Sequence, residues 1–245
     1  MVRPLLVAGA ALVALTLAGP ALAARVHVRV EGAKMTIFGA TEPRLAPVRG
    51  TFTPPQGEAV TVAADTPLGA LERASRRGEF FYRLESFSFG PYVAQIGRLS
   101  GSATTGWVYK VNGGSPPVSA TAYELKEGDR VLWYFARFGA AGGPKTLRLA
   151  RVRVPTASAR TRTCFDAVLE DDNGRRAPAR SAVFRLDARL RRTRLSAPSG
   201  ARRICPSGHW HRLRALAPGA IRSQVVVGPR TSATGAAASL TGRSL

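Results

Sequence analysis

Short segments with strand-like patterns recur along this chain, whereas helical spacing is clear in one segment only. Apolar and polar side chains alternate strictly over residues 25–31, which is typical of a strand with one buried face. Further strand-like segments in the first half lie at 34–38, 60–62, 80–84, 92–96, 107–111 and 130–135. Residues 40–58 are rich in proline and glycine and are predicted to form a loop. The pattern therefore predicts a β-rich protein with little helix.

The single predicted helix begins after Thr66, a good N-cap residue, and Pro67 suits its first position. Leu68, Leu71 and Ala74 fall on one stripe of that helix, as expected for an element packed on a core. Gly78 is predicted to end it by adopting the left-handed conformation. Many strands with one early helix indicate an α+β domain over residues 24–138.

A second unit is predicted over residues 145–230, where no segment has helical spacing. Six or seven short strands follow one another there, separated by turn sequences such as Asp172-Asn173-Gly174. Such spacing is typical of a small β-sandwich. Residues 139–144 are predicted to be a linker because they are mostly glycine and alanine. Residues 231–245 contain almost no large side chains and are predicted to be a disordered tail.

The amino terminus has the pattern of a signal peptide over residues 1–23. Arg3 precedes a nearly continuous apolar segment, and Ala21-Leu22-Ala23 fits the rule for signal-peptidase cleavage. We therefore expect a secreted or extracytoplasmic protein cleaved near Ala23. No membrane span is expected after cleavage, and the apolar segment is itself short for one.

Export determines how the two cysteines are interpreted. Cys164 and Cys205 are the only cysteines of the chain, and disulfides persist outside the cytoplasm. The alternatives, a redox pair or metal ligands, normally show a Cys-x-x-Cys spacing that is absent here. We expect a structural disulfide, worth about 4 kcal/mol for a loop of about 40 residues.

The chain carries 36 Lys and Arg against 15 Asp and Glu, a net charge of +21. Residues 1–150 account for +7 of this charge and residues 151–245 for +14. Two interpretations remain open: an anion-binding face in the second unit, or the arginine-rich codon usage of a GC-rich genome. Nucleic acid is not an expected partner, because exported proteins rarely meet it.

One segment of the first unit resembles a known family. Gly106-Trp107-Val108-Tyr109-Lys110-Val111-Asn112-Gly113 is followed by Tyr123-Glu124-Leu125 and by a segment that runs from Gly128-Asp129 to Trp133-Tyr134-Phe135. This arrangement resembles the transcobalamin-like C-terminal domain family, which is related to the C-terminal domain of transcobalamin and intrinsic factor. The resemblance covers about residues 25–138 and implies a β-grasp-like fold. In bacteria, such domains usually occur in exported or surface proteins of unknown ligand.

The second unit resembles, less specifically, the immunoglobulin-like or carboxypeptidase-regulatory-like sandwiches of exported proteins. Asp172-Asn173-Gly174, the following Ala177-Pro178-Ala179, and Arg222-Ser223 before a valine-rich segment carry this resemblance. It implies a spacer or interaction module. The expected fold is thus an α+β β-grasp-like domain followed by an all-β immunoglobulin-like sandwich.

Four aromatic residues of the family-like segment are the candidate ligand-binding residues: Trp107, Tyr109, Trp133 and Tyr134. They lie on two strands that we expect to be adjacent, with two-residue spacing along the first. They are either core and cross-strand packing or the lining of a groove for a flat or sugar-like ligand. The resemblance also raises cobalamin as a ligand, although the large helical domain that holds it in the vitamin carriers is absent.

The sequence contains no recognisable catalytic or metal-binding set. His209 and His211 can point the same way on a strand and could share a metal ion, but no third metal ligand is recognisable near them in the sequence. We therefore expect a pair of surface histidines. Residues 170–174 lack the twelve-residue calcium pattern and are predicted to be a solvated turn. We expect a non-enzymatic binding or adhesion-type protein for a small molecule or envelope glycan. Cobalamin capture and anionic-polymer binding are the alternatives, and the oligomeric state is left open.

Overall fold

The structure is a computed structural model, and it describes residues 23–88, 90–138, 143–158, 160–188, 191–195 and 202–229. For residues 188 and 191–195 only the backbone is described. The predicted signal peptide up to Leu22, residues 139–142 of the predicted linker and the predicted tail lie outside this part of the chain.

The described residues form one helix and eighteen strands. In the first unit these are β1 Val26–Glu31, β2 Thr36–Phe38, β3 Arg44–Leu45, β4 Gly50–Phe52, β5 Val60–Val62, α1 Pro67–Gly78, β6 Tyr82–Phe87, β7 Gly90–Ile96, β8 Leu99–Ser100, β9 Thr105–Val111 and β10 Arg130–Arg137. In the second unit they are β11 Thr146–Pro155, β12 Thr161–Glu170, β13 Arg176–Pro178, β14 Val183–Ala188, β15 Arg191–Leu195, β16 Arg203–Ile204, β17 Trp210–Leu216 and β18 Val226–Val227. The protein is thus mostly β, with several sheets, as the sequence predicts. The segment 40–58 is not entirely loop, because β3 and β4 lie within it.

The main sheet of the first unit has the strand order β2-β1-β10-β9, and β3 also pairs with β1. Strands β1 and β10 are parallel, whereas β10 and β9 are antiparallel. The strand-like segment at residues 34–38 forms β2, which pairs with β1 in antiparallel orientation. Two smaller sheets, β4-β5 and β6-β7-β8, complete this unit. Because β10 is the one strand of the main sheet that pairs with β9, β9 lies at an edge of this sheet.

Helix α1 packs on one face of this sheet. Thr66 caps it as predicted, because its hydroxyl accepts a hydrogen bond from the Gly69 N–H at 3.1 Å. Leu68, Leu71 and Ala74 are fully buried in the first hydrophobic cluster with Val28 of β1. The left-handed residue that ends the helix is Glu79, with φ 52°, and not Gly78.

Gly78 has a different function in the fold. A Cβ atom at this position would lie 2.5 Å from the ring of Phe38, so the glycine allows β2 to approach the helix.

Two sheets of the second unit enclose a separate hydrophobic cluster. Their strand orders are β11-β12-β13, with β16 on β12, and β15-β14-β17-β18. Leu147, Phe165, Phe184 and Leu213 contribute to the shared core, one from each of the four main strands. The predicted disulfide between Cys164 and Cys205 is present and joins β12 to the segment after β16. No helix among the described residues is both long and apolar enough to cross a membrane.

The second face of the main sheet is covered by the second unit. On β10, Leu132, Tyr134 and Ala136 form a small cluster with Ile221. On β1, Arg29 and Glu31 are 2% and 1% exposed. The alternation over residues 25–31 predicts one solvent-facing side for β1, and this expectation is wrong because the second unit buries that side.

Candidate ligand-binding cleft

The register between β9 and β10 positions the candidate aromatic residues. Tyr109 lies opposite Trp133, and their ring centroids are 5.4 Å apart. Trp107 lies opposite Phe135 in an edge-to-face contact, also at 5.4 Å. Both contacts fall within the range of favourable aromatic pairs. The two-residue spacing seen in the sequence therefore produces a continuous aromatic layer on one face of the sheet.

Both tryptophans are almost completely buried, and their indole N–H groups are satisfied within the protein. Trp107 donates to the Leu99 carbonyl at 2.9 Å, and Trp133 donates to the Pro67 carbonyl at 3.1 Å. The Tyr109 hydroxyl donates to the Val118 carbonyl at 2.7 Å. Most of this aromatic layer therefore belongs to the hydrophobic core. The hydrogen bonds of the three side chains fix the orientation of their rings.

Tyr134 points to the opposite face of the sheet, as its position next to Trp133 on β10 requires. A cleft of about 630 Å3 nevertheless borders all four candidate residues. This is possible because the cleft lies at the outer edge of β9, where both faces of the sheet can be reached. The structure thus places three candidate residues on one side of the edge and Tyr134 on the other.

The remaining walls of the cleft come from residues that the sequence did not single out. They are Tyr92 of β7, the segment 115–120 and Phe138. Phe138 is 42% exposed and Val118 is 46% exposed, which leaves an apolar rim open to solvent. The paired prolines Pro116 and Pro117 are a sequence signal for one of these walls.

One end of the cleft is formed by a charged contact between the two units. Lys110 of β9 is 1% exposed and forms an ion pair with Asp172 of the second unit. Asp172 also accepts a hydrogen bond from the Gly143 N–H at 2.5 Å. Burial alone would raise the pKa of Asp172, but the hydrogen bonds from Lys110 and Gly143 hold it below its usual value. Asp172 is therefore a fixed carboxylate whose charge is already neutralised.

The tyrosines of the cleft are uncharged at neutral pH. Burial raises the pKa of the Tyr109 hydroxyl to about 12. Burial, together with the charge of Asp172, raises the pKa of Tyr134 to about 12 as well. Arg137 also lines the cleft, and its side chain is exposed. No ion pair joins Arg137 to an acidic side chain within the described part of the chain.

The prediction of a solvated turn at residues 170–174 is wrong for two of its acids. Glu170 is 1% exposed and is paired with Arg148 and Arg176, while Asp172 pairs with Lys110. Asp171 instead stabilises the turn, because its carboxylate accepts the Asn173 and Arg175 N–H groups. The described residues contain no group of three or more potential metal-ligating side chains.

A family model described as a domain of unknown function (DUF4430) matches residues 68–137. This is a family of transcobalamin-like domains, so the match agrees with the resemblance over this segment. The matched segment begins in α1, ends with β10 and includes all four candidate residues. It does not include β1, which lies at the centre of the sheet. No curated protein matches the chain.

Proposed function

We propose that this protein is an exported, non-enzymatic binding or adhesion protein that holds a ligand in the cleft at the edge of β9. In this proposal Trp107, Tyr109, Trp133 and Tyr134 form the aromatic lining. The first unit is a β-grasp-like, transcobalamin-like domain, and the second is an immunoglobulin-like sandwich that supports it. The domain limits are those given by the sequence, with the signal peptide removed near Ala23.

The observation that carries the proposal is the cleft itself. Its volume of about 630 Å3 is in the range of small-molecule sites, which are mostly apolar with a few fixed polar groups. Asp172 supplies such a fixed group at one end, because the buried Lys110 holds its carboxylate. The parallel β1–β10 pair and α1 form a rigid support behind β9.

The proposal is tested by intrinsic fluorescence of the purified chain. Two of its three tryptophans border the cleft, while Trp210 lies in the second hydrophobic cluster. We expect a saturable fluorescence change and a rise in melting temperature with one member of a probe panel. The panel contains soluble envelope glycans and cyanocobalamin, and the latter is also followed by its absorbance.

A matched pair of variants localises the binding. Val118 on the rim and Val227 on β18 are 46% and 55% exposed, so glutamate is tolerated similarly at both positions. We expect Val118→Glu to weaken binding at least tenfold and Val227→Glu to leave it unchanged. Equal effects of the two substitutions, or turnover of a bound glycan, would contradict the proposal.

A specific observation also favours anionic-polymer binding by the second unit as a second candidate function. Arg203 pairs with Asp166, and Arg148 and Arg176 pair with Glu170. Several other arginines are exposed and form no ion pair within the described residues; they are Arg151, Arg153, Arg162, Arg185 and Arg212. Most acidic side chains of this unit are thus already in ion pairs, and the unpaired arginines can bind an anion.

Heparin chromatography tests this second function. We expect the full chain to be retained at low salt and to elute over a narrow salt range, because counterions are released on binding. Substitution of Arg151 and Arg153 by glutamine is expected to lower the elution salt. The matched control replaces Arg73 and Arg77, which are exposed on α1. No retention at low salt, or equal shifts for both double variants, would exclude this function.

A further inference from the structure

The outer edge of β9 presents backbone groups to the cleft. The Asn112 N–H donates to Arg130, and the Phe138 N–H donates to Thr104, at the two ends of the β9–β10 pair. In an antiparallel pair, hydrogen-bonded positions alternate along each strand. Gly106, Val108 and Lys110 therefore bond to β10, whereas the N–H and C=O groups of Trp107, Tyr109 and Val111 point away from it.

Two of these three outward-facing residues already have partners. Val111 exchanges both backbone hydrogen bonds with Gly114, at 2.9 and 3.0 Å. The Trp107 N–H donates to the hydroxyl of Tyr92, which lies across the cleft. For the backbone of Tyr109, no partner on this outer side is found among the described residues. One residue in the middle of the edge thus keeps a donor and an acceptor directed into the cleft.

What can bind here is defined by Tyr109, the single outward-facing residue between two neighbours that already have partners. Its N–H and C=O can both be satisfied by one residue of an extended chain running antiparallel to β9. A glycan presents hydroxyl groups but lacks the fixed donor–acceptor pair of a peptide unit. An unpaired donor and acceptor at the edge of a sheet are a template for strand addition.

The charges at the cleft favour an acidic side chain on the incoming segment. Asp172 is neutralised by Lys110, while Arg137 is exposed and has no ion pair with a described acid. An acidic side chain on the incoming segment would complement Arg137. Apolar side chains would contact the rim at Val118 and Phe138, which are about half exposed.

We propose that the ligand of this cleft is a short, extended peptide segment that adds to the edge of β9 at Tyr109. Its residue opposite Tyr109 exchanges two backbone hydrogen bonds with it, and an acidic side chain reaches Arg137. The length is limited to a few residues, because Tyr92 blocks one end of the free edge and Gly114 the other. This inference rests on the proposed function and names the class of ligand.

The test begins with a phage-displayed library of random heptapeptides selected on the full chain, with the Val118→Glu variant used for counter-selection. A selected peptide is then resynthesised with single N-methyl groups at successive positions. Methylation removes one backbone donor and leaves the side chains unchanged. We expect a tenfold or greater loss of binding at the position opposite Tyr109 and little change at its neighbours. Hydrogen exchange of the Tyr109 amide is expected to slow at least tenfold on binding.

The outcomes separate this inference from the proposed function. If no peptide is enriched but a glycan or cyanocobalamin changes the tryptophan fluorescence, the cleft binds a ligand and the peptide assignment is wrong. If neither a peptide nor a glycan or cyanocobalamin binds, the peptide inference and the proposed function are both wrong. A uniform effect of N-methylation, or a dimer in sedimentation that Val118→Glu dissociates, would also overturn peptide addition at this edge.

Discussion

Glu31 is the residue at which a single substitution is expected to affect the junction of the two units most. Its carboxylate lies on β1 of the first unit and is 1% exposed. Arg222 donates to it from two nitrogens, at 2.7 and 2.9 Å, and Arg214 donates at 2.9 Å. Thr36 supplies a further hydrogen bond at 2.9 Å. Both arginines belong to the second unit, so this carboxylate joins the two halves of the chain.

The expected cost of Glu31→Gln follows from this geometry. The substitution keeps the shape but replaces one acceptor oxygen by a donor that faces a guanidinium. Removing one member of a buried ion pair costs about 3–5 kcal/mol, because the partner charge remains buried without compensation. Arg214 and Arg222 are only 18% and 15% exposed, so water can compensate little. A melting temperature lower by about 6–20 °C is expected for a chain of this size.

Thermal and urea denaturation, followed by circular dichroism, measure this effect. The matched control is Glu127→Gln, because Glu127 forms an ion pair with Arg44 while both side chains are about half exposed. Exposed pairs contribute at most about 1 kcal/mol. If Glu31→Gln and Glu127→Gln lower stability equally, Glu31 does not hold the two units together and the reasoning fails.

Three further predictions concern other parts of the molecule. Replacing Cys164 and Cys205 by alanine is expected to lower the free energy of unfolding by about 4 kcal/mol in urea titrations, since the bridge spans 41 residues; an unchanged midpoint would contradict this. The lowered pKa of Asp172 contributes stability that is present above the usual carboxyl pKa of about 4 and is lost as the pH falls through the lower pKa of the folded state. Asp172→Asn should therefore be less stable than the parent chain at neutral pH but not in strong acid, and a difference that persists in acid would refute the assignment. Gly78→Ala is expected to lower the free energy of unfolding by about 1–3 kcal/mol, because the added methyl group displaces Phe38. Glu79→Gly is expected not to lower it, because Glu79 is the residue with positive φ. Urea titrations of the two variants test both expectations.

The local features of the fold follow from the sequence because they depend on neighbouring residues. The Thr66 cap and the buried stripe of α1 are examples. Two cysteines allow one intramolecular pairing, and that disulfide is present. The predicted left-handed residue, Gly78, lies one position before the observed one, Glu79, because the small size of Gly78 serves the packing of Phe38.

The candidate cleft was predictable only in part. The two-residue spacing identified Trp107, Tyr109 and Trp133 as neighbours across two strands, which the register confirms. Tyr92, Phe138 and Asp172 could not be identified, because each reaches the cleft from a separate sheet or loop. A sequence pattern encodes which face of a strand is apolar, but it does not encode which distant segment covers that face.

The sequence by itself determined the β-rich class, the position of the helix, the disulfide and the aromatic layer of β9 and β10. Each of these depends on residue type and short-range periodicity. The tertiary structure alone decided that both faces of the main sheet are buried and that Glu31 and Asp172 pair with cations of the opposite unit. It also decided that no described residue pairs with the outer backbone edge of β9 at Tyr109. These features depend on long-range packing, in which side chains up to 191 residues apart form one charged cluster.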